Sequence, residues 1–321
     1  MFTVAVPTKN RPDDVVRFLD SVACQTILPS KILIIDQSFE ETQVDFAVKY
    51  PTLIIEYYHV PQITGLCAAK NFAVEHIEGE YIYFFDDDII LDNNFFEVIN
   101  NHFKNFPRYY GICGRQKNSK SSKLKVFFFE LFHIGAFRDI RKKCNSGYIK
   151  DSLVQTNVLP GGITAYRKQI FEKYRFDEIL VKYCLGEDMD FSYRVSQEYS
   201  LAFATDALAL HNHSIIGRYD PLEAFACKVA GYAYFYKKNV KKTFFHALAY
   251  FLVKTGIFFD ACAYSAKHRN LDAFRGLRRG RRYLKNDFRD VPFIDYNKYW
   301  AAKEISEGRM PKIKRDTEDK K

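Results

Sequence analysis

No two of the seven cysteines, at positions 24, 67, 113, 144, 184, 227 and 262, stand at C-x-x-C spacing. A zinc ribbon or a disulfide framework is therefore not expected, and an odd set of free thiols fits a reducing compartment. The N-terminal stretch MFTVAVPTKNRPDD has neither a basic leader nor a long apolar run, so no signal peptide is expected. The chain has no internal repeat and no long low-complexity segment. It also lacks a long apolar run free of charge. The best candidate, TFFHALAYFLVKTGIFFDACAYSA at 243–266, contains Lys254 and Asp260. Each would cost about 2.5–3.5 kcal/mol near a bilayer centre. No recognisable RNA- or DNA-binding motif is present, so nucleic acid is not an expected partner.

The chain has 321 residues, enough for one large domain or two ordinary ones with a sizeable core. Aromatic content is high at 17%. The net charge of +9 is concentrated at one end: from Lys267 to Lys321 there are 17 Lys and Arg against 9 Asp and Glu. Along the first two-thirds, apolar runs that read as buried strands alternate with helical periodicity. FTVAV, ending at Pro7, KILIID, TLIIEYYHV and YIYFF are expected strands. RPDDVVRFLDSVACQT and GLCAAKNFAVEHI are expected helices. This alternation predicts an α/β domain with a mainly parallel sheet and ligands at the carboxyl ends of its strands. Residues 111–160 read as less regular. PGGITAYRKQIF reads as a glycine turn entering a helix, a second helix starts near Glu187, and LAFATDALALHNHS reads as a closing strand.

Three stretches carry candidate chemistry. YIYFFDDDIILD places Asp86, Asp87 and Asp88 directly after a buried strand. Adjacent carboxylates repel, so either water or a cation must meet them. A solvated turn is the simple alternative. In an extended segment Asp86 and Asp88 share a side with Asp87 opposite, and such a pair can hold Mg²⁺ or Mn²⁺ against a diphosphate. GEDMDFSYRV puts Glu187 and Asp188 in a first helical turn. Taken alone they complement the helix dipole, and between a glycine turn and a His-ended strand one of them can serve as a general base. LHNHS offers His211 and His213 on alternate sides of a strand end.

Read in order, these stretches resemble the family 2 glycosyltransferases, nucleotide-sugar-dependent enzymes with the GT-A fold. The matching segments are VAVPTKNRPDDVVRFLDSVACQT, ILIIDQS, GLCAAKNFAV, YIYFFDDDIILDNNFF, PGGITAYRKQIFEKYRFDE, GEDMDFSYRV and the His pair. The resemblance implies that Pro7, Thr8, Asn10 and Arg11 hold the nucleotide base and ribose and that Asp36 reads the base. It implies that Lys70 and Asn71 lie near the nucleotide, although the family more often has Arg at the first position. Asp86, Asp87 and Asp88 match the D-x-D region, with Asp88 foremost as metal ligand. Gly161 and Gly162 match a turn beside the donor sugar. Glu187 and Asp188 match an acidic pair whose Asp is the usual base. His211 or His213 matches a late metal ligand. The implied reaction is inverting transfer from a nucleoside-diphosphate sugar, with a divalent cation, to a saccharide or lipid-linked saccharide hydroxyl in cell-surface polysaccharide assembly. A non-catalytic nucleotide- or lipid-binding adaptor and a sugar nucleotidyltransferase are the rivals. The second lacks a Gly-rich, basic loop after the first strand.

Residues 1–216 are the expected catalytic domain, 217–310 a helical, basic, membrane-surface region, and 311–321 a disordered tail. Phe244, Phe245, Leu248, Phe251, Leu252, Phe258 and Phe259 form a helical stripe flanked by KKNVKK and KHR. An interfacial helix fits this pattern better than a span, with a packed core helix as the alternative. RGLRRGRR adds a basic patch suited to anionic lipid. The expected location is cytoplasmic, peripheral on the inner face of the membrane.

Overall fold

A computed structural model of the protein describes residues 1–180, 186–214 and 219–292. Its strands are β1 (Phe2–Thr8), β2 (Lys31–Asp36), β3 (Ile55–His59), β4 (Tyr81–Phe85), β5 (Ile89–Leu91), β6 (Tyr109–Gln116), β7 (Leu153–Thr156), β8 (Ile163–Arg167) and β9 (Ser200–His211). The helices are α1 (Pro12–Ala23), α2 (Phe46–Lys49), α3 (Leu66–Val74), α4 (Phe95–Asn105), α5 (Lys123–Phe132), α6 (Arg141–Asn145), α7 (Ile170–Lys173), α8 (Glu187–Ser196), α9 (Pro221–Asn239), α10 (Phe244–His268) and α11 (Asp272–Lys285). One sheet runs in the order β3-β2-β1-β4-β8-β6-β9-β5, with β7 paired to β9.

Strand periodicity divides the core into two layers. Phe2, Val4 and Val6 of β1 and Tyr83 and Phe85 of β4 face Phe18 and Leu19 of α1 and Phe96 and Phe103 of α4. Ala5, Ile82 and Phe84 point the other way, onto Ala69 and Ala73 of α3 and Phe191 of α8. With helices on both faces, β1 and β2 are buried along their whole length.

Two details differ from the sequence expectation. PGGITAYRKQIF is not a turn leading straight into a helix. Its ITAYR segment is β8, antiparallel to both β4 and β6 and central in the sheet, and α7 that follows has only four residues. Its alternation is plain once the neighbours are known: Ile163 and Ala165 serve one layer and Tyr166 the other. The strands β3-β2-β1-β4 are parallel, as is the β6–β9 pair, while β8, β5 and β7 pair antiparallel, so the sheet as a whole is mixed. Pro7 does not end β1. The strand continues to Thr8, and Pro7 is tolerated because pairing with β4 stops at Ala5, so its missing N–H leaves no ladder bond unmade.

Beyond the sheet, α9 buries Ala226, Cys227 and Ala230 in the same core layer as α8. Helix α11 crosses α9 on Gly276 and Gly280. A Cβ at either would come within 2.5 Å of the Leu222 or Ala226 carbonyl oxygen, so only glycine permits this approach. The glycines of RGLRRGRR therefore build a helix contact, while Arg275, Arg278, Arg281 and Arg282 stay on the exposed side. The expected boundary at 216/217 and the tail 311–321 lie outside the described residues. The six cysteines among the described residues are all free.

Candidate active site

The strand order reverses on either side of β1, which lies between β2 and β4. Such switch points leave a crevice at the strands' carboxyl ends. On the β2 side, Asp36 Oδ1 accepts the Ser38 backbone N–H at 2.8 Å and the Ser38 hydroxyl. Its Oδ2 accepts the Tyr57 hydroxyl at 2.8 Å. Asn10 takes φ of 56°, a left-handed conformation that Asn tolerates, and its N–H donates to Ser38 Oγ at 2.7 Å. Asn10, Ser38, Asp36 and Tyr57 thus form one ordered corner.

On the β4 side the three aspartates separate as their alternation requires. Asp87 points into the fold, where it accepts Thr8 Oγ1 at 2.7 Å and Arg11 Nη1 at 2.8 Å. Burial pushes its carboxyl up to about 7, against the pull of Arg11 and Thr8. Asp86 and Asp88 instead meet His211, and one ligand atom from each of the three lies within 4.8 Å of the others. Strand pairing explains the meeting. Strand β9 runs antiparallel to β5 with His211 opposite Ile89, which brings the imidazole beside Asp88. His211 Nε2 stands 3.0 Å from Asp88 Oδ1, and the Ser214 N–H donates to Asp88 Oδ2 at 2.8 Å. Burial opposes ionisation of Asp88, but these partners hold it down at about 2. Asp86 is raised by burial and by Asp88. His213 lies against the His211 ring, with centroids 4.2 Å apart, and is outside the three-residue group.

The opposite wall is Gly161, Gly162 and the N-terminus of α8. A Cβ on Gly162 would fall 2.0 Å from Asp86 Oδ2, and one on Gly161 would fall 2.8 Å from both Glu187 Oε1 and Lys70 Nζ. Consecutive glycines therefore let the aspartate cluster and the acidic pair close on one turn. Lys70 is 1% exposed; its ammonium lies 3.7 Å from Glu187 Oε1 and has no hydrogen-bond partner among the described residues. Burial, then the neighbouring Asp188, push Glu187 up to about 7. Asp188 receives the Met189 N–H at 2.8 Å on Oδ1, and Oδ2 pairs with Arg141 Nη1. Arg141 is itself gripped by Asp139 through Nε at 3.0 Å and Nη2 at 2.8 Å.

Most of the expected residues converge here, but Asn71 does not. Its amide is engaged by the Phe176 backbone at 2.9 and 3.0 Å and by Glu178 at 2.7 Å, which fixes the Phe176 ring beside Lys70. Two contributors went unread in the sequence. Arg141 hides in the basic run RDIRKK, where only the preceding Asp139 marks it. Asn118 holds both the N–H and the carbonyl of His211, at 3.1 and 2.8 Å, from a polar loop.

The family model for Glycosyl transferase family 2 matches residues 3–175. The chain belongs to this family. The match includes the Asp triplet and the two glycines and ends before Glu187, Asp188 and His211, which only the fold brings to the same place. The chain is 25% identical over 228 residues to the O-antigen chain rhamnosyltransferase RfbN of Salmonella typhimurium, covering 70% of this chain and 68% of that one. It is 24% identical over 245 residues to the minor teichoic acid biosynthesis protein GgaB of Bacillus subtilis, covering 67% of this chain but only 25% of GgaB. Among solved structures, S. aureus TarS 1-349 in complex with UDP-GlcNAc superposes with a TM-score of 0.55 at 13% identity, over 94% of this chain and 91% of that one. The mannosyltransferase PcManGT from Pyrobaculum calidifontis, in complex with GDP-Man and Mn²⁺, gives 0.52 at 14% identity, over 95% and 87%. This glycosyltransferase therefore has the GT-A architecture, a mixed α/β sheet with flanking helices.

Proposed function

We propose that this glycosyltransferase transfers a sugar, with inversion, from a nucleoside-diphosphate sugar to a hydroxyl of a lipid-linked saccharide during cell-surface polysaccharide assembly. The observation that carries the reading is the convergence of Asp86, Asp88 and His211 with Glu187 and Asp188 across Gly161–Gly162. Two carboxylates and one imidazole make a donor set suited to Mn²⁺ or Mg²⁺. The buried Lys70 ammonium, with no hydrogen-bond acceptor among the described residues, fits an anion such as a diphosphate oxygen. A divalent cation held by Asp86, Asp88 and His211 would neutralise charge on the departing diphosphate.

The chain's own residues supply the rest. The Asn10, Ser38, Asp36 and Tyr57 corner receives the base and ribose, with Pro7 shaping the end of β1. Thr8 and Arg11 lock Asp87, which fixes the backbone that aims its two neighbours. Asp188, held in place by Arg141, accepts the proton from the attacking hydroxyl while Glu187 lies against Lys70. One base and one displacement invert the anomeric carbon, by the logic of inverting glycosidases.

The acceptor assignment rests on the relatives' names and on the outer helices. Helix α10 is long and apolar enough, by length and composition, to cross a membrane. Its Asp260 is instead paired with Lys228 of α9 at 2.7 Å, and Val253, Gly256 and Ile257 pack inward. A helix docked on one side and apolar on the other fits the surface of an anionic membrane, and this reading takes that surface to be the cytoplasmic face. Residues 1–216 then form the catalytic unit and 217–310 the membrane-facing one. The test is nucleoside-diphosphate release from a panel of UDP-, GDP- and dTDP-sugars with Mn²⁺. One donor should be turned over by the wild type and not by Asp188→Asn, which should still bind it. Equal turnover by that variant refutes the assignment of the base.

A further inference from the structure

We infer that α5 is a second membrane-inserting element, forming with α10 a two-helix platform that sits on an anionic lipid surface. This rests on the membrane-surface reading of α10 and adds an element that sequence reasoning left in the irregular middle of the chain. Ten of the 19 exposed large apolar side chains among the described residues lie on these two helices. On α5 they are Leu124, Phe127, Phe128 and Leu131, which follow helical spacing along one face and are 48–65% exposed. On α10 the stripe begins at Phe244, 88% exposed, and continues through Phe251 at 58%. Monomeric proteins rarely leave so much contiguous apolar surface in water.

The two faces adjoin. Phe132, at the end of α5, lies over Gly256, where a Cβ would meet its side chain at 2.9 Å, and its ring centroid is 5.7 Å from that of Phe259. Gly135, just beyond α5, lies under Phe245 in the same way. The charge around the platform selects lipid over another protein surface. Lys120, Lys123 and Lys125 are exposed at one end, Lys241 and Lys242 just before α10, and Lys254 and Lys267 along it. The acids of both helices are engaged away from the apolar faces: Glu130 pairs with Lys143 at 3.2 Å and Asp260 with Lys228 at 2.7 Å. An apolar face rimmed by exposed lysines matches acyl chains beneath anionic headgroups.

The platform is also tied to the chemistry. His133 Nε2 lies 3.0 Å from the Tyr232 hydroxyl of α9, and Phe137 packs on Tyr232, Phe235 and Tyr250. Four residues further on, Arg141 grips Asp188. Arg141 is nine positions beyond Phe132 in the chain, so that arginine lies within about 30 Å of the platform.

The test places a reporter on α5. Phe128→Trp, combined with Trp300→Phe to remove the one native tryptophan, is mixed with phosphatidylcholine vesicles with and without phosphatidylglycerol. A blue shift and quenching by brominated acyl chains, only with the anionic lipid, are expected. In parallel, Phe127→Gln with Phe128→Gln should weaken vesicle binding about tenfold with unchanged circular dichroism and melting. A reporter indole that stays in water while the Phe128→Trp protein pellets with vesicles overturns the role of α5 and leaves the α10 reading standing. Failure of the wild type to pellet at low salt overturns both. A concentration-dependent blue shift without lipid, with doubled mass by light scattering, assigns the face to a second copy and refutes the proposal.

Discussion

Gly162→Ala is the sharpest probe of the aspartate cluster, because it displaces Asp86 without replacing any candidate ligand. The glycine is not in a left-handed conformation, so alanine fits the backbone. The added methyl would stand 2.0 Å from Asp86 Oδ2 and 2.1 Å from Cγ. These atoms end a side chain that can swing, so the fold survives while the carboxylate retreats by about 1 Å or more, since carbon–oxygen contacts below 3 Å are not sustained. Metal–ligand distances tolerate only about 0.2 Å, so such a retreat removes Asp86 from any shared ion. Loss of an outer partner of a metal ligand costs about 10–100-fold in affinity, and loss of a ligand should cost at least that, about 1.4–2.7 kcal/mol. Calorimetric titration with Mn²⁺ reads the affinity, and thermal melting in chelator checks that the apo fold is intact. Gly161→Ala is the control: its Cβ would fall 2.8 Å from Glu187 and Lys70 and bears less directly on Asp86. If Gly162→Ala binds Mn²⁺ as tightly as the wild type, Asp86 is not a ligand and the cluster is only a polar contact.

The same site and its supports yield further expectations. Saturating Mn²⁺ at about a hundred times its dissociation constant should stabilise the wild type by about 2.7 kcal/mol, and Asp88→Asn should abolish that gain in a melting assay. Arg141→Lys cannot span Asp139 and Asp188 together, so misplacement of Asp188 should lower kcat about 100-fold while donor KM changes little; unchanged kcat means the arginine does not position the base. His133 is buried and pushed down to about 4, below the ordinary 6.5, chiefly by burial. Between those values the unfolded chain binds the extra proton, so stability is complete above pH 6.5 and falls by about 3 kcal/mol towards pH 4. His133→Gln should flatten that part of the urea-denaturation profile. Gly280→Ala sets a methyl 2.5 Å from the Ala226 carbonyl oxygen, a backbone atom that cannot swing aside. It should destabilise by about 1–3 kcal/mol, whereas Arg278→Ala on the exposed side of the same helix should melt like the wild type.

The parallel strands and their helices were legible because each carries its own signal. Lys31–Asp36 and Tyr81–Phe85 are short apolar runs, and α1 shows a helical stripe. The D-x-D segment, the acidic pair and the late histidines were legible as residue types in order. Strand β8 was not, because ITAYR is five residues behind a glycine pair and its alternation gains meaning only from β4 and β6. Arg141 was not, because a basic run reads as solvated surface until Asp139 and Asp188 are seen around it.

Sequence alone thus determined the parallel strands at the N-terminal end with their helices, the family and the donor atoms available to the site, since local periodicity and side-chain chemistry are properties of short segments. Tertiary structure decided which of those atoms meet. Pairing of β5 with β9 brought His211 to Asp88, Asn71 was taken up in bracing Phe176, and the basic α11 helix docked through its glycines. Each outcome depends on contacts between residues far apart in the chain, and register and packing, which no local pattern encodes, settle them.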